Sequence, residues 1–361
     1  MTESRPISGK IPVTVLTGFL GSGKTSVLNG LVRHDGLRRT AVVINEFGEI
    51  GLDHELVQKS DENFVLVRNG CVCCTVRGDL ISTLRDLSAR QERGEIERIH
   101  RVVIETTGLA DPAPILHTLM NDQSLLEQGY GLGAVVTTID TVNGLDTLRD
   151  HQEVVKQVGV ADLMLLTKTD LASPKAISAL RGRIVAINPG ARIAQTINGE
   201  ISPGAFFSTG LYRLEGRTAE VHQWLNAEAY ADAHDHAHHH DQASAESDRN
   251  RHGDRIKAFC ITREQPISWA GFSAWLDLVS GMRGNDLLRV KGIINVIEHP
   301  ARPIVIHGVQ HIFHPPIQLD EWPSEDRRTR IVFITRDIEQ DVIEQTLRVF
   351  ERRRAREQRP A

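Results

Sequence analysis

Cysteine is scarce in this chain, four residues in 361, and the spacing is too uneven for a disulfide framework. The thiols are therefore expected in the reducing cytoplasm, as nucleophiles, redox groups or metal ligands. No stretch approaches the roughly 18 apolar residues that cross a bilayer. The N-terminal MTESRPISGKIPV has neither the apolar region nor the small-residue cleavage site of a signal peptide, so no membrane partner is expected. Excess positive charge is missing too: the formal net charge is -5, which argues against nucleic acid. The basic run RVFERRRAREQRP near the C-terminus is short enough to be a solvated helix end. Internal repeats are absent. What remains, 40% hydrophobic and 25% charged, is an ordinary globular composition, long enough for one large domain and a smaller one.

Short apolar, β-branched runs at 11–17, 40–44, 63–67, 101–105, 133–139 and 162–167 read as buried strands. Helical spacing recurs between them, as in TSVLNGLVR (25–33) and VRGDLISTLRDLSARQE (76–92). This alternation predicts an α/β domain around a mostly parallel sheet over 1–228. Residues 229–254, with HDHAHHHDQ inside, lack apolar periodicity and read as a flexible linker. Over 255–361, strand-like RIKAFCIT, LLRVKGIINVIE and PIVIHG alternate with helical SWAGFSAWLDLVSG and IEQDVIEQTLRVFERR, predicting a smaller α+β domain. Cys260, alone in its apolar run, is expected to be a buried structural thiol.

GFLGSGKT at 18–25 fits G-x-x-x-x-G-K-[ST] and follows an apolar strand, the context a phosphate loop requires. Gly18, Gly21 and Gly23 let backbone N–H groups converge on phosphate oxygens, with Ser22 and Ser26 in the same cradle. Lys24 supplies a point charge to the β- and γ-phosphates, and Thr25 a hydroxyl to Mg²⁺. In RVVIETTGLADP (101–112) a buried strand ends at Glu105, which would hold water around Mg²⁺ or orient the attacking water. Gly108 follows at a spacing that brings its N–H toward a γ-phosphate. LLTKTD (165–170) points to guanine: Asp170 would pair with N1–H and the exocyclic amine, and the stem of Lys168 would lie along the purine. Thr167 stands where the familiar pattern has Asn.

Three of the four cysteines, Cys71, Cys73 and Cys74, fall in NGCVCCTV, between the phosphate loop and Glu105. Three readings compete. They are a buried structural cluster, a redox dithiol of Cys71 and Cys74, or a metal site in which three soft thiolates leave a tetrahedral ion one open position. Soft thiolates suit Zn²⁺ or Cu⁺, and the incomplete shell suits transfer better than permanent structure. NEFGEIGLDHELV (45–57) is an acidic surface loop or a source of further ligands, Glu46, Glu49, Asp53 and His54. His234, His236, His238, His239 and His240 are weak, exchangeable metal ligands or part of a plain polar linker.

Taken together, TGFLGSGKT, NEFGEIGLD, GCVCC, IETTGLADP, TKTD and DLLRVKGII resemble the CobW family of P-loop GTPases, the G3E group that includes the zinc-chaperone subfamily, from about Val13 to Phe350. The resemblance implies a doubly wound GTPase domain followed by a CobW C-terminal domain. It further implies GTP, Mg²⁺ and zinc or cobalt as ligands, metal bound at Cys71, Cys73 and Cys74, and GTP hydrolysis coupled to delivery to a client metalloprotein. A nucleotide- or metal-dependent homodimer is a further expectation. A cobalt-handling role in cobalamin synthesis and a nucleotide-gated thiol redox regulator are the alternatives.

Overall fold

A computed structural model of the chain describes residues 10–34, 37, 39–45, 64–68, 76–210, 221, 224–230 and 255–357, with the backbone alone at 45, 64–68, 76–79 and 352–357. They form two compact units, Met1–Arg183 with Ala191–Arg213, and Ile184–Gly190 with Leu214–Ala361.

The first unit is built on seven strands: β1 Ile11–Gly18, β2 Thr40–Asn45, β3 Phe64–Arg68, β4 Arg101–Thr106, β5 Tyr130–Asp140, β6 Leu163–Thr167 and β7 Arg192–Gln195. Their order is β3-β2-β4-β1-β5-β6-β7, and every pairing among the described residues is parallel. A parallel sheet needs crossover helices that cover both faces. Lys24–Val32, Val76–Glu92, Ala113–Asn121, Gln152–Gly159 and Pro174–Ile187 are such helices. Accordingly β5 and β6 are buried along their whole length, which is why they read as continuous apolar runs. Leu16, Val103 and Val136 of the sheet pack with Val27, Leu28 and Leu31 of the first helix in one core. From β1 the chain winds outward to β3, returns through β4, then crosses to β5, β6 and β7. That reversal sets the carboxyl ends of β1, β4 and β5 side by side, the position at which doubly wound sheets bind ligands.

In the second unit the strands are β8 Ile256–Arg263, β9 Leu287–Ile294, β10 Ile304–Val309, β11 Ile312–Phe313, β12 Ile317–Gln318 and β13 Thr329–Arg336. They form an antiparallel sheet in the order β11-β10-β9-β13-β8, with β12 also on β10. One face, including Phe259, Val290, Ile331 and Phe333, packs against Phe272 and Trp275 of helix Trp269–Arg283 and Leu347 of helix Gln340–Glu357. Side chains alternate along a strand, so Arg289, Lys291, His307 and Arg330 lie on the opposite face, and all four are buried. Trp224 covers part of that face: Lys291 Nζ donates to its carbonyl at 3.1 Å and lies 4.9 Å from its ring centroid. Ala229 and Tyr230, which open the expected linker, are helical, and Tyr230 is buried. Cys260 is only half-buried, because β8 is an edge strand. No described helix is long and apolar enough to cross a membrane.

Candidate active site

The phosphate loop must turn from β1 into the helix Lys24–Val32 within five residues. Gly18 does so at φ +144°, where a Cβ would fall 2.2 Å from Thr138 Oγ1, so no side chain fits. The hydroxyls of Ser22 and Thr138 share a 2.7 Å hydrogen bond that fastens the loop to β5. The helix carries no acidic residue in its first turn, and Gly23 at its N-cap has no side chain to accept from its N–H groups. Those donors and the helix dipole are left for an anion. Lys24 is buried, and its Nζ donates to Gly18 O at 3.1 Å and Phe19 O at 3.3 Å.

Parallel pairing of Leu16 with Glu105 brings the acid at the end of β4 beside the loop. Thr25 Oγ1 donates to Glu105 Oε1 at 3.0 Å, and Glu105 is fully buried. A hydroxyl and a carboxylate so placed are the hard oxygen donors that Mg²⁺ selects, so the pair fits that ion. Gly108 follows on the turn after β4. A Cβ there would lie 2.7 Å from Leu20 N, so this turn and the phosphate loop touch backbone to backbone. Gln157, fully buried on its helix, donates from Nε2 to Ala110 O at 3.2 Å and Gly108 O at 3.4 Å, holding the turn from behind. The rings of Phe19 and His151 lie 4.4 Å apart, centroid to centroid.

The ends of β5 and β6 are joined in register at Asp140 and Thr167. Thr167 Oγ1 donates to Ser22 O at 2.8 Å and Ile139 O at 3.2 Å, so its hydroxyl points into the phosphate loop. Lys168 sits at φ +56°, with Nζ on Asp140 Oδ2 at 2.7 Å. Burial pushes the Asp140 carboxyl up, but hydrogen bonds from Lys168, Asn143 and the Val142 N–H outweigh it and hold the carboxyl below its ordinary value. Thr141 Oγ1 donates to Thr167 O at 2.8 Å and Lys168 O at 2.9 Å, fixing the turn. Asp170 follows, exposed to solvent. On the far side the turn at Gly199 (φ +77°) presses on the first helix, where a Cβ would be 2.1 Å from Ser26 O.

The structure thus gathers Gly18 to Ser26, Glu105 and Gly108 on one edge, with Lys168 on the turn after β6. Asp140, Thr141 and Gln157 hydrogen-bond to the turns that carry Lys168 and Gly108 and are not evident in the sequence. Their one signal is that Asp140 ends a long buried strand in an acid. Cys71, Cys73, Cys74, Glu46, Glu49, Asp53, His54, His234, His236, His238, His239 and His240 lie outside the described residues. Among the described residues no group of three or more His, Cys, Asp or Glu side chains is placed to hold a metal.

Residues 12–195 match the family model described as CobW/HypB/UreG, nucleotide-binding domain, and residues 256–351 that of the cobalamin synthesis protein cobW C-terminal domain. The chain is 29% identical over 324 residues to the zinc chaperone YjiA of Escherichia coli, covering 90% of this chain and 93% of that one. It is 30% identical over 372 residues to the zinc chaperone CobW of Pseudomonas aeruginosa, covering 94% and 91%. The crystal structure of Zn(II)-bound YjiA GTPase from E. coli superposes with a TM-score of 0.67 at 24% identity, over 94% of this chain and 99% of that one, a likeness of fold. With both domains matched in order along its length, the chain belongs to the CobW family of P-loop GTPases.

Proposed function

We propose that this GTPase is a metallochaperone that holds zinc, or cobalt, at Cys71, Cys73 and Cys74 and passes it to a client metalloprotein on GTP hydrolysis. The observation that carries the coupling is topological. β3 ends at Arg68 in parallel register with β2, whose Ile44 pairs with both Arg68 and Glu105. The chain therefore enters the cysteine segment from the sheet edge that bears Glu105 and the phosphate loop. The zinc chaperones among its relatives support the choice of metal.

On GTP binding, Lys24 would exchange the carbonyls of Gly18 and Phe19 for β- and γ-phosphate oxygens. Backbone N–H groups of the loop and of Gly108 would take the remaining phosphate lone pairs. Thr25 and Glu105 would hold Mg²⁺, which when bound would supply positive charge to offset that of the phosphates. Glu105 is also the group that would orient water for attack. Asp170 would accept from guanine, while Asp140 fixes Lys168 against the purine. Metal and nucleotide are then linked reciprocally: GTP must strengthen metal binding by the factor by which metal strengthens GTP binding.

The test is a competitive Zn²⁺ and Co²⁺ titration of the reduced chain, with a non-hydrolysable GTP analogue and with GDP. One tight site that is stronger with the analogue and lost in Cys73→Ser is expected. Affinity indifferent to nucleotide would break the coupling and return the cysteines to the redox reading.

A further inference from the structure

Two successive side chains of the helix Gln152–Gly159 grip the turn that follows β4. Lys156 Nζ donates to Asp111 Oδ2 at 2.7 Å, an ion pair that water reaches from both sides. Gln157 is fully buried. Its Nε2 carries two hydrogens for two carbonyls, Ala110 O at 3.2 Å and Gly108 O at 3.4 Å. The backbone carbonyl of Gln157 accepts from Thr137 Oγ1 of β5 at 2.9 Å, so the amide reaches the turn from a point tied to the sheet.

The turn closes where Ala110 N donates to Thr107 O at 3.2 Å, which sets Gly108 and Leu109 at its two central positions. Gly108 has little room there. Leu20 N stands 2.7 Å from where a Cβ would fall, and Gln157 holds the carbonyl from the other side. The Oε1 of Gln157 is buried and finds no donor among the described residues. An apolar side chain of the same length would avoid the cost of that orphaned acceptor, so the amide is kept for what Nε2 holds. The ion pair of Lys156, partly exposed, adds little to the grip.

We propose that Gln157 is a positioning residue of this GTPase that sets its preference for a nucleoside triphosphate over a diphosphate. The proposal rests on the reading of Gly108 as a donor to the γ-phosphate. A donor oriented before the ligand arrives strengthens binding, because no ordering is left to be done on association. A diphosphate ends short of Gly108 and gains nothing from a fixed turn. Gln157 acts on the nucleotide through Gly108, not by contact.

The test uses the full chain with Mg²⁺ and compares a non-hydrolysable GTP analogue with GDP. Gln157→Met keeps the length of the side chain and removes both donors; it should weaken the analogue about tenfold or more and GDP less than about twofold. Gln157→Glu, isosteric but with at most one hydrogen to donate, should move the ratio in the same direction. Thr137→Val controls for general loosening: it cuts the tie between β5 and the helix, and should lower the melting temperature while the ratio stays within about twofold of wild type. The Gly108 amide is followed by NMR in chain made with isotopically labelled glycine, and assigned by its loss in Gly108→Ala. Its proton should move downfield with the analogue relative to GDP, as a charge-assisted hydrogen bond requires, and the difference should shrink in Gln157→Met. An amide that is the same with both nucleotides in the wild type means that Gly108 does not meet the γ-phosphate, and that reading falls with the proposal. If the amide shifts but the ratio survives in Gln157→Met, or Thr137→Val moves the ratio as far, the reading of Gly108 stands and the proposal is overturned.

Discussion

Thr167→Val removes one hydroxyl and keeps the shape of the side chain. In the structure that hydroxyl donates to Ser22 O and Ile139 O, 5% exposed, on the floor of the phosphate loop. Losing a buried hydrogen bond and leaving its acceptors short costs about 1–2 kcal/mol. The first unit should then melt about 2–8 °C lower by circular dichroism. The strain falls on the residues that cradle phosphates, which every nucleoside triphosphate shares. Affinities for GTP and ATP, measured with fluorescent analogues, should therefore weaken together by about tenfold, and their ratio should change little. Asp170→Ala should do the reverse, lowering the ratio while the phosphate contacts persist. If Thr167→Val instead collapses the preference for guanine with GTP affinity otherwise near normal, the hydroxyl reads the base and the bracing role is wrong.

Glu105→Gln keeps an acceptor for Thr25 but removes the charge; GTP turnover should fall about 10²–10³-fold with much less change in affinity, resolved by single-turnover kinetics. Gly108→Ala forces a Cβ to within 2.7 Å of Leu20 N, which should cost about 1–3 kcal/mol of stability, seen in thermal melts, and weaken nucleotide binding. Asp326 is held at about 2 by hydrogen bonds from Arg328 and the nearby charge of Arg330, against burial. Its stabilisation is present above the ordinary carboxylate range and fades as pH falls from about 4 towards 2. Asp326→Asn should thus cost about 1–2 kcal/mol at neutral pH and nearly nothing near pH 2. All four tryptophans, Trp224, Trp269, Trp275 and Trp322, lie in the second unit, so tryptophan fluorescence reports that unit alone.

The phosphate loop is legible in the sequence because its chemistry is local: successive residues supply the turn, the donors and the charge. The strands β1, β4 and β6 are legible because a sheet covered on both faces leaves continuous apolar runs. β7 is not, since at the sheet edge Arg192–Gln195 is partly exposed and carries only four residues. β13, TRIVFITR, lies between β9 and β8 as a central strand, and its arginines at both ends disguise it as polar sequence. The parts of the site that depend on adjacency are hidden for another reason. Asp140 reaches Lys168, and Gln157 reaches Gly108, only because β5, β6 and the crossover helices bring distant residues together. Thr167 shows the limit from the other side. Its departure from Asn looks like a change in base reading until the fold places its hydroxyl under Ser22.

The contacts behind the phosphate loop close on themselves. Phe19 rests on His151, which opens the helix bearing Gln157; Gln157 holds the carbonyls of Gly108 and Ala110; and Gly108 returns to Leu20, the neighbour of Phe19. A closed circuit of this kind has no weakest link at which to fray. Its amides would exchange with solvent through one shared opening rather than through separate ones. Anything that occupies the loop would slow exchange around the whole circuit, on the helix as much as on the loop, and the circuit would register nucleotide as a single cooperative element.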